Sequence, residues 1–324
     1  MKVFITGITG FVGSHLVDYL LENTDVEVHG LCRWRSPKDN IQHCLDKIIL
    51  HYGDLTDLAS LLKILSENKP DYVMHLASQS LVPYSFDVPA ATLEVNCIGT
   101  CNLFEAIKIL KQRDNYDPIV YACSSSECFG QVKENEIPIK EDTPFRPASP
   151  YAVSKVCEDM LGFQYFLSYG LKIIRTRMFS HTGPRRGEFF CESNFAKQIA
   201  LIELGKQEPI IEVGNLDSIR TFADVRDTVH AYWLLVNKCR YGEVYNIGGN
   251  TTMTVGAMLN ILISKSTVKN IKIEIDPKRL RPSDVTLQIP CIDKFKKETG
   301  WEPKIPFDTT LTDLLNFWRN KLAQ

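Results

Sequence analysis

Tyr151 and Lys155 stand four residues apart in Pro150-Tyr151-Ala152-Val153-Ser154-Lys155. On a helix that spacing puts both side chains on one face. An ammonium beside a phenol favours the phenolate, so Lys155 is expected to lower a Tyr151 pKa that starts near about 10. The pair then supplies a general base or acid at neutral pH. Upstream lies Ser124-Ser125-Ser126-Glu127 at the end of a strand-like run. A serine hydroxyl there can hold a substrate hydroxyl against Tyr151.

A second constellation opens the chain. Thr6-Gly7-Ile8-Thr9-Gly10-Phe11-Val12-Gly13 sits between the first strand-like run and the first helical pattern. This GxxGxxG spacing is a close relative of the dinucleotide fingerprint: missing side chains let backbone amides approach a pyrophosphate, and a helix N-terminus faces it. Gly7, Thr9, Gly10, Phe11 and Val12 are the expected cofactor contacts. After the second strand the residues are Leu31-Cys32-Arg33-Trp34-Arg35, two arginines with no carboxylate. Arg33 would suit a 2′-phosphate, which favours NADP over NAD. Asp54, after the third strand, suits either the adenine amino group or a helix cap.

These residues need a scaffold, and the first half provides one. Strand-like runs at Lys2–Thr6, Val26–Cys32, Lys47–Tyr52, Tyr72–Leu76, Ile119–Cys123 and Lys172–Arg177 alternate with helical patterns. The helices are expected near Phe11–Leu21, Leu58–Glu67, Thr92–Lys111 and Pro150–Leu167, with Phe163, Tyr165 and Phe166 as core. The rhythm predicts an α/β fold, a Rossmann-type doubly wound parallel sheet whose ligands bind at the carboxyl ends of the strands. After Met178 the pattern changes, with helices near Ser193–Leu204 and Thr309–Leu322, a strand at Val244–Ile247 and Thr254 as a cap. We expect residues 1–177, with about 221–249, to bind the dinucleotide. A smaller, discontinuous α/β substrate domain takes 178–220 and 250–324.

Composition narrows the class. The 324 residues are 44% hydrophobic and 23% charged, as in folded proteins, and 37 basic against 39 acidic residues leave a charge of −2. That balance argues against a nucleic-acid partner engaged through bulk positive charge. No segment approaches the roughly 20 apolar residues of a membrane span, and the run Met1–Thr6 lacks the apolar core and small-residue cleavage site expected of a signal peptide. The ten cysteines are scattered without a CxxC pair. We expect reduced thiols, a cytoplasmic location and no metal.

With these motifs in place, the chain resembles the extended short-chain dehydrogenases/reductases from residue 1 to about 320. Within them, Ser125-Ser126-Glu127, Tyr151 and Lys155 are similar to the active-site tetrad of the GDP-mannose 4,6-dehydratase group. Arg33-Trp34-Arg35-Ser36, His75-Leu76-Ala77-Ser78-Gln79-Ser80, Pro184-Arg185-Arg186-Gly187-Glu188, Gly214-Asn215-Leu216 and Arg281-Pro282-Ser283-Asp284-Val285 point the same way. The resemblance implies a redox-neutral reaction: C4 oxidation with Tyr151 as base, removal of the C5 proton by Glu127, loss of water from C6 and hydride return to C6. Ser125 would orient the 4-oxygen and Lys155 would hold the nicotinamide ribose. It also implies cofactor contacts at Leu55, Leu76, Ala77 and Ser78.

For the substrate, a GDP-sugar, the resemblance implies contacts at Ser80, Ser125, Ser180, Asn194, Lys197, Val213, Arg220, Arg281 and Asp284, with both arginines on the diphosphate. It further implies a homodimer or homotetramer. GDP-4-keto-6-deoxymannose reductases resemble the chain too, notably along Asn194–Ile199 and Lys206–Ile211, so an NADPH-dependent reductase (or epimerase) is the alternative. Two departures, Glu192-Ser193-Asn194 and Ser180, fall near the expected sugar pocket and admit GDP-manno-heptose beside GDP-mannose.

Overall fold

The computed structural model describes residues 1–280 and 285–323. Arg281 and Asp284 lie outside the described residues. The first half alternates strand and helix: β1 (Lys2–Thr6), α1 (Phe11–Asn23), β2 (Glu27–Cys32), β3 (Ile49–Tyr52), α2 (Leu58–Asn68) and β4 (Tyr72–His75). It continues through α3 (Val82–Asp87), α4 (Pro89–Leu93), α5 (Gly99–Asp114), β5 (Ile119–Ser125), α6 (Pro150–Tyr169) and β6 (Lys172–Met178). The expected helix at 92–111 is interrupted. A π-helical turn, Glu94–Ile98, joins α4 to α5. It turns Asn96 inward, where the amide accepts from Gln79 N at 2.7 Å and donates to Ser154 Oγ at 2.8 Å.

The second half begins with β7 (His181–Thr182), α7 (Cys191–Glu203), β8 (Ile210–Val213), β9 (Ile219–Asp224), α8 (Val225–Lys238) and β10 (Val244–Ile247). It ends with β11 (Thr251–Thr254), α9 (Val255–Ser264), β12 (Lys272–Ile275), β13 (Leu287–Gln288), α10 (Asp293–Thr299) and α11 (Phe307–Ala323). Thr254 caps α9 by accepting from Ala257 N at 3.0 Å.

Seven strands pair in the order β10-β6-β5-β4-β1-β2-β3, all parallel. This is a Rossmann-type doubly wound sheet. Apolar side chains cover it on both sides, which is why β1 and the first five residues of β5 read as nearly unbroken apolar runs. One core holds Val3, Ile5, Leu16, Tyr121 and Tyr232, the other Phe4, Leu103, Phe104 and Val120, all fully buried. Each such side chain contributes about 1.5–3 kcal/mol. A third core, with Phe195, Ile211, Leu259 and Leu311, joins α7, α9 and α11 over the small strands. β9 straddles residue 220. Phe295 and Trp301 return to the first core.

Candidate active site

The sheet reverses its order between β1 and β4, and the glycine loop starts there. Thr6 Oγ1 accepts from the backbone amides of Leu76 and Ala77, each at 3.1 Å, and meets His75 Nδ1 at 2.8 Å. The Thr6 hydroxyl thus pins the two strand ends that open the crevice. Gly7 has φ +75, and a Cβ there would come 3.0 Å from the Ala77 backbone. A Cβ on Gly13 would sit 2.2 Å from the Gly7 carbonyl. The chain therefore needs glycine at both places to bring α1 end-on to the loop. That cradle, without side chains at the helix N-terminus, fits a dinucleotide pyrophosphate.

The other expected cofactor residues line up along the same strand ends. Thr9 is fixed by its carbonyl, which accepts from Asn40 Nδ2 at 3.1 Å. Phe11 stacks on His181, with ring centroids 5.9 Å apart, and packs with Val12 against the first core. Arg33 follows β2 and is exposed, with no carboxylate partner among the described residues. Arg35 lies over Trp34 at 4.5 Å. Asp54 does not cap the next helix. Its carboxylate accepts from Thr56 N and Oγ1, at 3.0 and 2.9 Å, while Asp57 caps α2. Leu55 is buried, Leu76, Ala77 and Ser78 are half-buried, and Ser80 is exposed.

β5 delivers Ser125 at its carboxyl end, and a short 3₁₀ turn carries Glu127. Ser149 caps α6 by accepting from Ala152 N at 3.0 Å, and Pro150 occupies the first turn. This start fixes the rotation of α6, so Tyr151 and Lys155 face β5. Buried Asp159 holds α6 to β6 by pairing with Arg175 and Arg177, the latter at 2.6 Å. The Tyr151 phenol faces Ser125, whose side chain favours its ionised form, and the Lys155 ammonium lies 5.9 Å from the Tyr151 ring. Lys155 Nζ donates to the Cys123 carbonyl at 3.1 Å and to Glu158 Oε2 at 2.8 Å.

Electrostatics here differ from the expectation in one respect. Burial dominates, and Tyr151 is pushed up to about 12, despite the lowering effects of Lys155 and Ser125. The ammonium alone does not make this phenol acidic. Burial also works against the Lys155 charge, yet Glu158, with Tyr151 and Cys123, carries Lys155 above its ordinary range. His75 is buried between Thr6 and Thr100 and held down to about 3, by burial and then by Lys155.

The expected substrate residues fall on several elements. Ser180 follows β6, its carbonyl accepting from Ala223 N at 3.0 Å. Asn194 on α7 accepts from Arg279 Nη1 at 3.0 Å and donates to the Glu188 carbonyl at 3.1 Å. Lys197 is ion-paired to Glu188. Arg220 lies on β9, half-buried. Val213 does not present a side chain to a ligand. The alternation of β8 turns it into the third core, fully buried. Ser193, one of the two departures, is buried too: it accepts from Trp318 Nε1 at 2.8 Å and donates to the Arg186 carbonyl at 2.7 Å. Its role is to seat α11.

Two residues of the site went unread. Gln288, on β13, donates to Glu127 Oε1 at 3.5 Å and accepts from Ser126 Oγ at 3.0 Å. Its sequence distance hides that contact. Glu158 had a signal, since it lies three residues after Lys155 on one helix. One cluster of metal-ligating types, Asp18, His43 and Cys44, occurs among the described residues. There Asp18 is taken by His43 at 2.7 Å and by Arg185.

The sequence profile of GDP-mannose 4,6 dehydratase matches residues 4–314. GDP-mannose 4,6-dehydratase of Yersinia enterocolitica is 32% identical, the match covering 97% of this chain and 92% of that one. GDP-6-deoxy-D-mannose reductase of Pseudomonas aeruginosa is also 32% identical, over 100% and 99% of the two chains. The solved structure of RMD from Pseudomonas aeruginosa, complexed with NADPH, superposes with a TM-score of 0.85 at 32% identity, covering 99% of each chain. With the glycine cradle, Ser125, Glu127, Tyr151 and Lys155 set in one doubly wound fold, the chain belongs to the GDP-mannose 4,6-dehydratase family of extended short-chain dehydrogenases/reductases.

Proposed function

We propose that this protein is a GDP-sugar 4,6-dehydratase that keeps NADP bound and converts GDP-mannose, or GDP-manno-heptose, to the 4-keto-6-deoxy sugar. The observation that carries the reading is the Tyr151 phenol facing Ser125 and Lys155, with Glu127 two residues beyond Ser125. Residues 1–177 with 221–249 hold the dinucleotide, through Gly7, Thr9, Gly10, Phe11, Val12, Arg33, Asp54, Leu55, Leu76, Ala77 and Ser78. Residues 178–220 and 250–324 hold the sugar nucleotide, with Arg220 and Arg281 on the diphosphate, where guanidinium geometry suits paired oxygens.

Held at the glycine cradle and by Lys155, NADP would supply the hydride acceptor for C4 and the hydride donor for C6. Tyr151 takes the 4-hydroxyl proton, and Ser125 holds the same oxygen. The resulting ketone acidifies the C5 proton, which Glu127 removes and then gives to the departing C6 hydroxyl as water forms. When hydride returns at C6, C5 takes up the proton that Tyr151 drew from the 4-hydroxyl. Tyr151 begins protonated and buried, so its proton leaves to water before the sugar binds, and the phenolate that Lys155 favours then acts as base. Lys155 holds the ribose and stabilises the phenolate.

The test is incubation with GDP-mannose or GDP-manno-heptose without added reductant, followed by mass spectrometry. A 4-keto-6-deoxy product formed without net NADPH consumption is expected. One observation favours a second reading: the chain is coextensive with the Pseudomonas aeruginosa reductase, at 100% and 99% coverage. Oxidation of one NADPH per turnover of a 4-keto-6-deoxy substrate, with none of the first reaction, would establish a reductase instead.

We further propose a homodimer built on α6. Val153, Met160 and Leu167 recur every seven residues on its outer side, 46%, 40% and 70% exposed, and Ile98 stands beside them at 55%. Phe163, expected in the core, also lies outside, 41% exposed. An apolar stripe of this kind is suited to a second copy of the same stripe. No helix among the described residues is long and apolar enough to cross a membrane. The ten free cysteines support a cytoplasmic setting.

A further inference from the structure

Glu158 is a buried acid for which the reaction as written has no use. It sits on α6 three residues after Lys155, 2% exposed, beside a lysine that is 4% exposed. One oxygen, Oε2, accepts from Lys155 Nζ at 2.8 Å. The other, Oε1, is buried with no hydrogen-bond partner among the described residues. An unsatisfied carboxylate oxygen next to a catalytic ammonium costs stability, since desolvation of the charge is only partly offset. Packing alone does not account for an acid at this position: it pairs the buried Lys155 ammonium, which an apolar residue would leave uncompensated.

We propose that Glu158 is a positioning residue for the Tyr151–Lys155 pair: its carboxylate orients the Lys155 ammonium and offsets part of the positive charge that this ammonium presents to the Tyr151 phenol. The inference deepens the dehydratase reading and rests on it for the role of Tyr151. The geometry follows from the helix. Tyr151, Lys155 and Glu158 are spaced four and three residues apart, so they form one row on its inner face. Lys155 has three N–H donors. Glu158 takes one and the Cys123 carbonyl another, which leaves one donor directed by the other two.

The charges around this row come from several elements. On α6, Asp159 and the Cys157 thiol lie beside Glu158, and Cys97 reaches it from the π-helical turn. The phenol itself faces Ser125 and Cys123 of β5, Tyr232 of α8 and Arg186. Among these groups Glu158 opposes ionisation of Tyr151, and Lys155 promotes it. With both present the row starts from the protonated phenol. The carboxylate thus keeps the acid form of Tyr151 available for returning a proton.

Glu158→Gln keeps an acceptor for Lys155 and removes the charge. The readout is tyrosinate absorbance of the NADP-loaded protein, with the matching Tyr151→Phe background subtracted. It is taken at a fixed alkaline pH where circular dichroism shows each protein folded. Tyr151 titrates far above Glu158, so the wild-type carboxylate is charged there. About tenfold more Tyr151 tyrosinate is expected in Glu158→Gln, a shift of about one pH unit. Glu158→Asp, which draws the charge back from Lys155, should shift in the same direction by less. It carries the test if Glu158→Gln does not fold. Unchanged tyrosinate in the folded variant would overturn the proposal. The measurement needs no sugar nucleotide, so it stands or falls separately from the turnover experiment.

Discussion

Gln288 and Glu127, 161 residues apart in sequence, meet across the mouth of the candidate site, with Gln288 Nε2 at 3.5 Å from Glu127 Oε1. Gln288 is 2% exposed, and its own oxygen is held by Ser126 Oγ at 3.0 Å. It also pairs in register with Arg220 of β9. The strand that carries an expected diphosphate contact is therefore one residue pair away from the expected C5 base. Glu127→Gln should abolish dehydration and retain part of the C4 oxidation, seen as cofactor reduction in a single turnover. Gln288→Leu removes the amide contact to Glu127 and the acceptor of Ser126 Oγ. We expect kcat to fall about tenfold, the value of roughly one hydrogen bond to a charged group, with cofactor affinity unchanged. Wild-type kcat in Gln288→Leu would show that Ser126 and the backbone suffice to aim the carboxylate.

Tyr151→Phe removes one oxygen from a fully packed helix. Turnover should drop by about 10²–10⁴, the usual contribution of a placed general acid or base. The thermal midpoint should stay close to wild type, because the ring continues to fill its site. NADPH fluorescence on binding checks that the cofactor site survives.

Acid should destabilise the fold above the ordinary carboxylate range. Burial holds His75 down to about 3 and His15 down to about 4, from 6.5. As pH falls through that interval the unfolded chain binds protons that the folded chain refuses, so stability falls with it. Glu158 acts in the opposite sense: burial pushes it up to about 7 from 4.5, so the folded form takes a proton earlier there. The two histidines carry the larger combined displacement, at roughly 1.4 kcal/mol per unit. The urea midpoint should therefore be lower at pH 4.5 than at pH 7. His75→Gln should flatten the dependence, and an equal slope in that variant would move the effect elsewhere.

Leu167→Glu and Met160→Glu place charge on the outer stripe of α6. Sedimentation should show dimer for the wild type and monomer for the double variant, with circular dichroism unchanged. A wild-type monomer at micromolar concentration would remove the dimer.

The sheet was readable because its strands, buried on both faces, are apolar runs bounded by glycine and polar turns, as Lys2–Thr6 and Val244–Ile247 illustrate. Tyr151, Lys155, Ser125 and the glycine loop were readable because local spacing alone puts each on its element. What escaped depends on distant partners. Asn96 bends the helix expected at 92–111 because Gln79 and Ser154 require its amide, and neither is near it in sequence. Val213 falls on a strand whose alternation turns its side chain into the third core. Tyr151 seemed acidified by Lys155, but only packing reveals how much burial opposes that. Phe163 reads as core by type and stands outside because α6 has two apolar sides.

Helix α6 turns Tyr151 and Lys155 inward and Val153, Met160 and Leu167 outward. Successive residues on a helix are rotated by about 100°. One residue inserted between Ser149 and Tyr151 would swing the phenol away from Ser125 and bring the outer stripe toward the sheet. This stretch of the gene should therefore tolerate substitutions far better than changes in length, and the loop between Gly130 and Ser149 is where natural insertions and deletions should gather.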